Sequence, residues 1–111
     1  MLIYPQTNVV ASSAKTATGN SGNLAAPPQV NARFLYMVSA VSGTSPTLTI
    51  TIYTILKSAA AAAIIATASI TTTANGTLVI ENLPPTYRID WTIAGTTPSF
   101  TFEIDVQFQD Q

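Results

Sequence analysis

Apolar and polar residues alternate along much of the chain, most regularly from position 99 to 109, where Phe100, Phe102, Ile104, Val106 and Phe108 occupy every even position and polar residues every odd one. A period of two puts successive side chains on opposite faces, so the segment predicts a half-buried β-strand. Thr47-Leu48-Thr49-Ile50-Thr51-Ile52-Tyr53-Thr54-Ile55 alternates in the same way and is rich in β-branched residues, and Tyr87-Arg88-Ile89-Asp90-Trp91-Thr92-Ile93 does so with the odd positions apolar. A fourth strand is predicted over 29–41. It carries Phe34, Tyr36 and Val38 on one face and Leu35, Met37 and Val41 on the other, so both of its faces need cover.

Weaker strand signals run over 7–14, 62–70 and 77–80. They are separated by Gly19-Asn20-Ser21-Gly22-Asn23, Ala74-Asn75-Gly76 and Asn82-Leu83-Pro84-Pro85, all of turn composition. Ala59 to Ala63 is too short to hold a helix and runs into β-branched residues, which makes it a loop leading into a strand. The expectation is an all-β fold: a single antiparallel β-sandwich, jelly-roll-like or a small barrel, of about seven strands. Residues 1–23 would supply an N-terminal arm and first strand, and 24–111 the body of one domain.

The sequence also repeats itself. Val41-Ser42-Gly43-Thr44-Ser45-Pro46-Thr47-Leu48 is matched by Ile93-Ala94-Gly95-Thr96-Thr97-Pro98-Ser99-Phe100 at an offset of 52 (95 − 43), each copy reading strand, Gly-Thr-Ser/Thr-Pro, strand. Glycine takes the positive φ of a reversal, and proline suits the first position of the strand that follows.

Composition narrows the function. Charged residues make up 8% of the 111, against about 25% in an ordinary soluble domain. A net charge of −1 builds no positive field for nucleic acid. The absence of cysteine and histidine removes disulfides, thiol chemistry, the usual zinc sites and a histidine general base. No leader pattern marks the start, and the most apolar window, 59–70, is shorter than the roughly 20 residues of a membrane span. Neither a membrane nor a cofactor is expected.

Glu103 and Asp105 share one strand face, but with Thr101, Gln107 and Gln109 that face is the polar side of an amphipathic strand. Asp90 beside Arg88 suggests a local ion pair. Asn75-Gly76-Thr77 fits a glycosylation acceptor, but without a secretory signal it is read as a tight turn. Trp91 falls on a core face, while Tyr53 and Ile55 are expected to point outward. A nearly uncharged chain with apolar residues outside its core calls for coverage by neighbours. The candidate subunit interface is therefore Leu2, Ile3 and Tyr4 of an extended arm together with Leu35, Met37, Tyr53 and Ile55.

Thr16-Ala17-Thr18-Gly19-Asn20-Ser21-Gly22-Asn23-Leu24, the stretch around Val41-Ser42-Gly43-Thr44-Ser45-Pro46, and Tyr87 to Phe102 together resemble small β-sandwich virion structural proteins of tailed bacteriophages, most nearly capsid decoration, or cement, proteins. Between Lys57 and Ile65 the chain departs from that pattern, alanines replacing a polar loop. The resemblance implies a non-enzymatic protein, made in the host cytoplasm and placed on the outer surface of the capsid. It would be a homotrimer whose partners are the major capsid protein and copies of itself, with no small-molecule ligand. A tail, neck or fibre position is the neighbouring possibility. A carbohydrate-binding module is a distinct one that would require exposed aromatic side chains.

Overall fold

A computed structural model describes residues 3–55 and 61–110. Six strands follow in order: β1 (Thr7–Lys15), β2 (Gly19–Ala25), β3 (Val30–Ile55), β4 (Ala61–Ile70), β5 (Ala74–Leu83) and β6 (Thr86–Asp110). β3 and β6 are each far longer than an ordinary strand, at 26 and 25 residues. They pair antiparallel almost end to end, from Val30↔Asp110 to Thr54↔Tyr87. The segments expected as separate strands on either side of each Gly-Thr-Ser/Thr-Pro are thus two arms of one continuous strand.

The bend comes from the motif. Gly43 and Gly95 have φ of 109° and 124°, and Ser45 and Thr97 also lie at positive φ. The register shifts between Ser42 and Thr44 and again between Thr44 and Thr47, so a bulge flanks the Thr44↔Thr96 pair on each side. Bulges of this kind bend a ladder and increase its twist. The two motif copies also press on each other. A Cβ on Gly43 would stand 2.7 Å from the Thr97 carbonyl oxygen, and one on Gly95 2.9 Å from that of Ser45.

Bending both long strands makes two antiparallel layers of four. One runs β1, second arm of β6, first arm of β3, β5; the other runs β2, first arm of β6, second arm of β3, β4. This is the order of a double-sheet jelly roll. Phe34, Val38, Ile104, Val106 and Ile80 from the first layer meet Leu48, Ile50, Ile52, Ile89 and Ile70 from the second in one core. Phe34 meets Tyr87 across the gap edge to face, 5.5 Å between centroids. Each such side chain contributes about 1.5 to 3 kcal/mol of transfer free energy.

Several expectations change. Gly19–Ala25, read as turn composition, is strand β2: with few apolar side chains it shows no alternation, and its backbone pairs with β6 from Gly19↔Trp91 to Ala25↔Thr86. Asn75-Gly76-Thr77 is no turn either. It lies inside β5, opposite Met37, Tyr36 and Leu35, and the reversal falls at Thr71-Thr72-Thr73. Glycine is needed at position 76 because the Tyr36 ring lies over it; a Cβ there would fall 2.2 Å from the ring. Ile55 does not face outward. At the end of β3, where the ladder to β4 skips Ile65 and Ala62 on the β4 side, Ile55 is only 8% exposed.

Candidate interaction surface

The outward sides of the two layers differ in chemistry. On the second layer Arg88 and Asp90 form a bidentate pair, with Arg88 Nε 2.6 Å from Asp90 Oδ1 and Nη2 2.8 Å from Oδ2. The bond to Asp90 raises the Arg88 pKa, so the guanidinium stays charged. Opposite Arg88 in the ladder is Tyr53, half-buried, its ring 5.7 Å from the guanidinium carbon. Thr49 and Thr92 continue this face as a polar row. Among its described residues the exposed large apolar side chain is Ile64, the ladder neighbour of Tyr53.

The first layer presents the apolar surface. Because Phe34 and Val38 point into the core, Leu35 and Met37 point out, Leu35 half-buried and Met37 43% exposed. Val79 pairs with Arg33 on the neighbouring β5 and is 67% exposed. Ile3, bridged to Gln109, shares a shallow depression with Arg33 and Val79. A second depression is lined by Leu35 and Met37 with Gln6, Thr77, Glu103 and Asp105.

The acidic side of this face is ordered by amides. Glu103 and Asp105 lie opposite Met37 and Leu35 in the β3–β6 ladder. Asn8 Nδ2 donates to Asp105 Oδ1 at 2.7 Å and Gln6 Nε2 to Asp105 Oδ2 at 2.7 Å, while Asn8 also reaches Glu103 Oε2 at 3.4 Å. Neutral amides thus hold Asp105 at both of its oxygens, and one of them reaches Glu103 as well. The surface matches a partner with an apolar centre flanked by a cation or N–H donors.

The candidate interface residues therefore do not form one patch. Ile3, Leu35 and Met37 share the outer side of the first layer, Tyr53 lies on the opposite layer beneath Arg88, and Ile55 is buried. Tyr4 is half-buried against its own chain: its N–H donates to the Phe108 carbonyl at 2.8 Å and its ring meets Phe108 edge to face. Leu2 lies outside the described residues. Val79 and Ile64 were missed, although Thr77 and Val79 alternating with Leu78 and Ile80 carried the signal for Val79.

Trp91 is half-buried and packs edge-on against Phe102 at 5.7 Å. The Lys15 ammonium lies 4.3 Å from the Phe102 centroid and 5.5 Å from that of Trp91, and its burial there lowers the Lys15 pKa. Among the described residues every aromatic side chain is buried or half-buried, leaving no exposed aromatic platform. Nor do they contain a cluster of acidic side chains able to hold a metal.

No protein-family model matches the chain, and none of the curated proteins does. Among solved structures, a chain in the structure of infectious bursal disease virus, Gx strain, is similar in fold, with a TM-score of 0.50 and 11% identity. The match covers 98% of this chain and 32% of that one, so the present sandwich corresponds to about a third of the viral chain.

Proposed function

We propose that this protein is a non-enzymatic virion structural component, a decoration protein on the outer surface of a tailed-bacteriophage head, where it bridges major capsid subunits. The observation that carries this reading is the outer side of the first layer. Ile3, Leu35, Met37 and Val79 are presented there by a chain in which only 8% of residues are charged. Such a surface is poorly suited to a free monomer and well suited to a protein covered by neighbours. The fold shared with a chain of a virus structure and the resemblance of the Gly-Thr-Ser/Thr-Pro segments to phage decoration proteins support it. The lack of an exposed aromatic cluster among the described residues counts against carbohydrate binding.

Mechanically, a cement protein acts by burying apolar and hydrogen-bonding surface across boundaries that exist only in the assembled shell, so each bound copy adds free energy to the shell and none to its dissociated subunits. The apolar centre would supply most of that energy, and Glu103 and Asp105 would set orientation by pairing with donors on the capsid. A trimer is the expected oligomer. Mass spectrometry of purified virions followed by cryo-EM tests the reading: density for the sandwich over capsomer boundaries, with the Leu35 and Met37 face turned to the shell, is expected. Density confined to the tail or neck would replace the head assignment, and absence from the particle would end the virion reading.

A further inference from the structure

We propose, resting on the capsid-binding reading above, that the outer side of the first layer holds one extended segment of the shell partner. In that segment an acidic, an apolar and a basic residue occupy alternate positions. The acidic one meets Arg33, the apolar one Leu35 and Met37, and the basic one Glu103 and Asp105. The ladders lay this face out in rows: Arg33 stands between Val79 and Gln107, Leu35 between Thr77 and Asp105, and Met37 between Asn75 and Glu103. A cation thus marks one end and carboxylates the other, with apolar side chains between them. Successive rows are two residues apart along β3, about 6.5 to 7 Å. An extended partner running along β3 repeats at the same interval, so its own alternate side chains fall on successive rows.

The charges at both ends lack a charged partner within the chain. Among the described residues the ion pair is Arg88–Asp90 on the other layer, and the Lys15 ammonium lies over Phe102 and Trp91. Arg33 is exposed and forms no ion pair with Glu81 or any other described carboxylate. Asp105 and Glu103 are reached by the amides of Gln6 and Asn8. A carboxylate has about four acceptor sites, so these bonds leave room for a cation. A partner of one sign would meet repulsion at one end of this face, whereas a partner carrying both signs is attracted at each and held in a single direction. Each end also borders a recess, Arg33 the depression with Ile3 and Val79, the carboxylates the one with Leu35 and Met37. Recesses take side chains that protrude from a narrow segment. A second copy of this face, turned to oppose unlike charges, would set recess against recess and leave the apolar side chains loosely packed. Charge and shape together therefore favour an extended segment.

The test titrates the full-length protein, followed by NMR, with the acetylated and amidated peptide Thr-Asp-Thr-Leu-Thr-Arg-Thr and with versions carrying Asn for Asp, Gln for Arg, or both. The bipolar peptide should perturb the amides of Arg33, Leu35 and Glu103, and each neutralisation should weaken binding about two- to fivefold, the range of an exposed ion pair. Arg33→Glu, at an exposed position, should invert the preference and bind a peptide with Arg in place of Asp better than the bipolar one. Cosedimentation with capsids lacking the protein is the second arm, in which Arg33→Glu should weaken binding about tenfold and Glu103→Gln about two- to fivefold. A bipolar peptide that binds no better than the neutral one, or capsid binding that neither substitution alters, overturns the proposal while the capsid reading stands. Native protein that prefers the bipolar peptide yet does not bind capsids removes the shell as the source of the segment, and the capsid reading falls with it. A dimer seen by light scattering and lost in Arg33→Glu replaces the segment by a second copy, which also overturns the proposal.

Discussion

Tyr87 shows how one polar group is tied to the core. Its ring is buried against Phe34, and burial raises the phenol pKa from 10.0 to about 12. The folded state holds the phenolic proton at pH values where the unfolded chain has released it. Stability from Tyr87 is therefore fully present below pH 10 and declines as pH rises toward 12, the whole shift amounting to about 2 to 3 kcal/mol. Lys15, whose pKa is lowered, acts with the opposite sign just below its ordinary value. Comparison with Tyr87→Phe separates the two. Urea midpoints measured from pH 8 to pH 11.5 should fall above about pH 10 in the native protein and fall distinctly less in the variant. Parallel curves would show that the phenol does not govern alkaline unfolding.

The bent strand is the element on which this fold turns. Straight strands as long as β3 and β6 would form a two-stranded ribbon with apolar residues open to water; the double bulge at Gly43 and Gly95 folds that ribbon into two facing layers. Alanine at either glycine meets both a left-handed backbone and a carbonyl oxygen within 3.0 Å, so Gly43→Ala and Gly95→Ala should each cost about 2 to 3 kcal/mol. Gly22 is the internal comparison, with φ of 75° but open space around it, and its alanine variant should lose only about 1 kcal/mol. Denaturant titration of the three variants checks this. Equal losses at Gly22 and Gly43 would mean that the close contact between the two motif copies contributes nothing to stability.

For the whole molecule, the described outer faces differ: that of the second layer carries the Arg88–Asp90 pair beside Tyr53 and Ile64, and that of the first presents Leu35, Met37, Val79 and Ile3. Leu35→Ser with Met37→Ser should leave the far-ultraviolet spectrum unchanged and lower stability by no more than about 1 to 2 kcal/mol, since neither side chain lies in the core. Binding to capsids lacking the protein should weaken at least tenfold, read by cosedimentation. Unfolding of the variant, or undiminished binding, would remove this face from the interface. Alternation by itself determined the all-β class, the extended segments that prove to be the arms of β3 and β6, and most of the side chains by which those arms form the core, because a period of two leaves each side chain only two directions. The positive φ of Gly43 and Gly95 was legible in the repeat, but not that the strand continues through it. β2 escaped because a Gly- and Asn-rich edge strand is held by backbone bonds to β6, which no side-chain pattern records. Ile55 was misplaced because alternation gives a side chain's direction and not what covers it at a strand's end, and Tyr53 was grouped with Leu35 because only the bend at Gly43 decides that the two arms of β3 belong to opposite layers. The sequence specified local direction; the pairing of distant halves decided which residues share a surface.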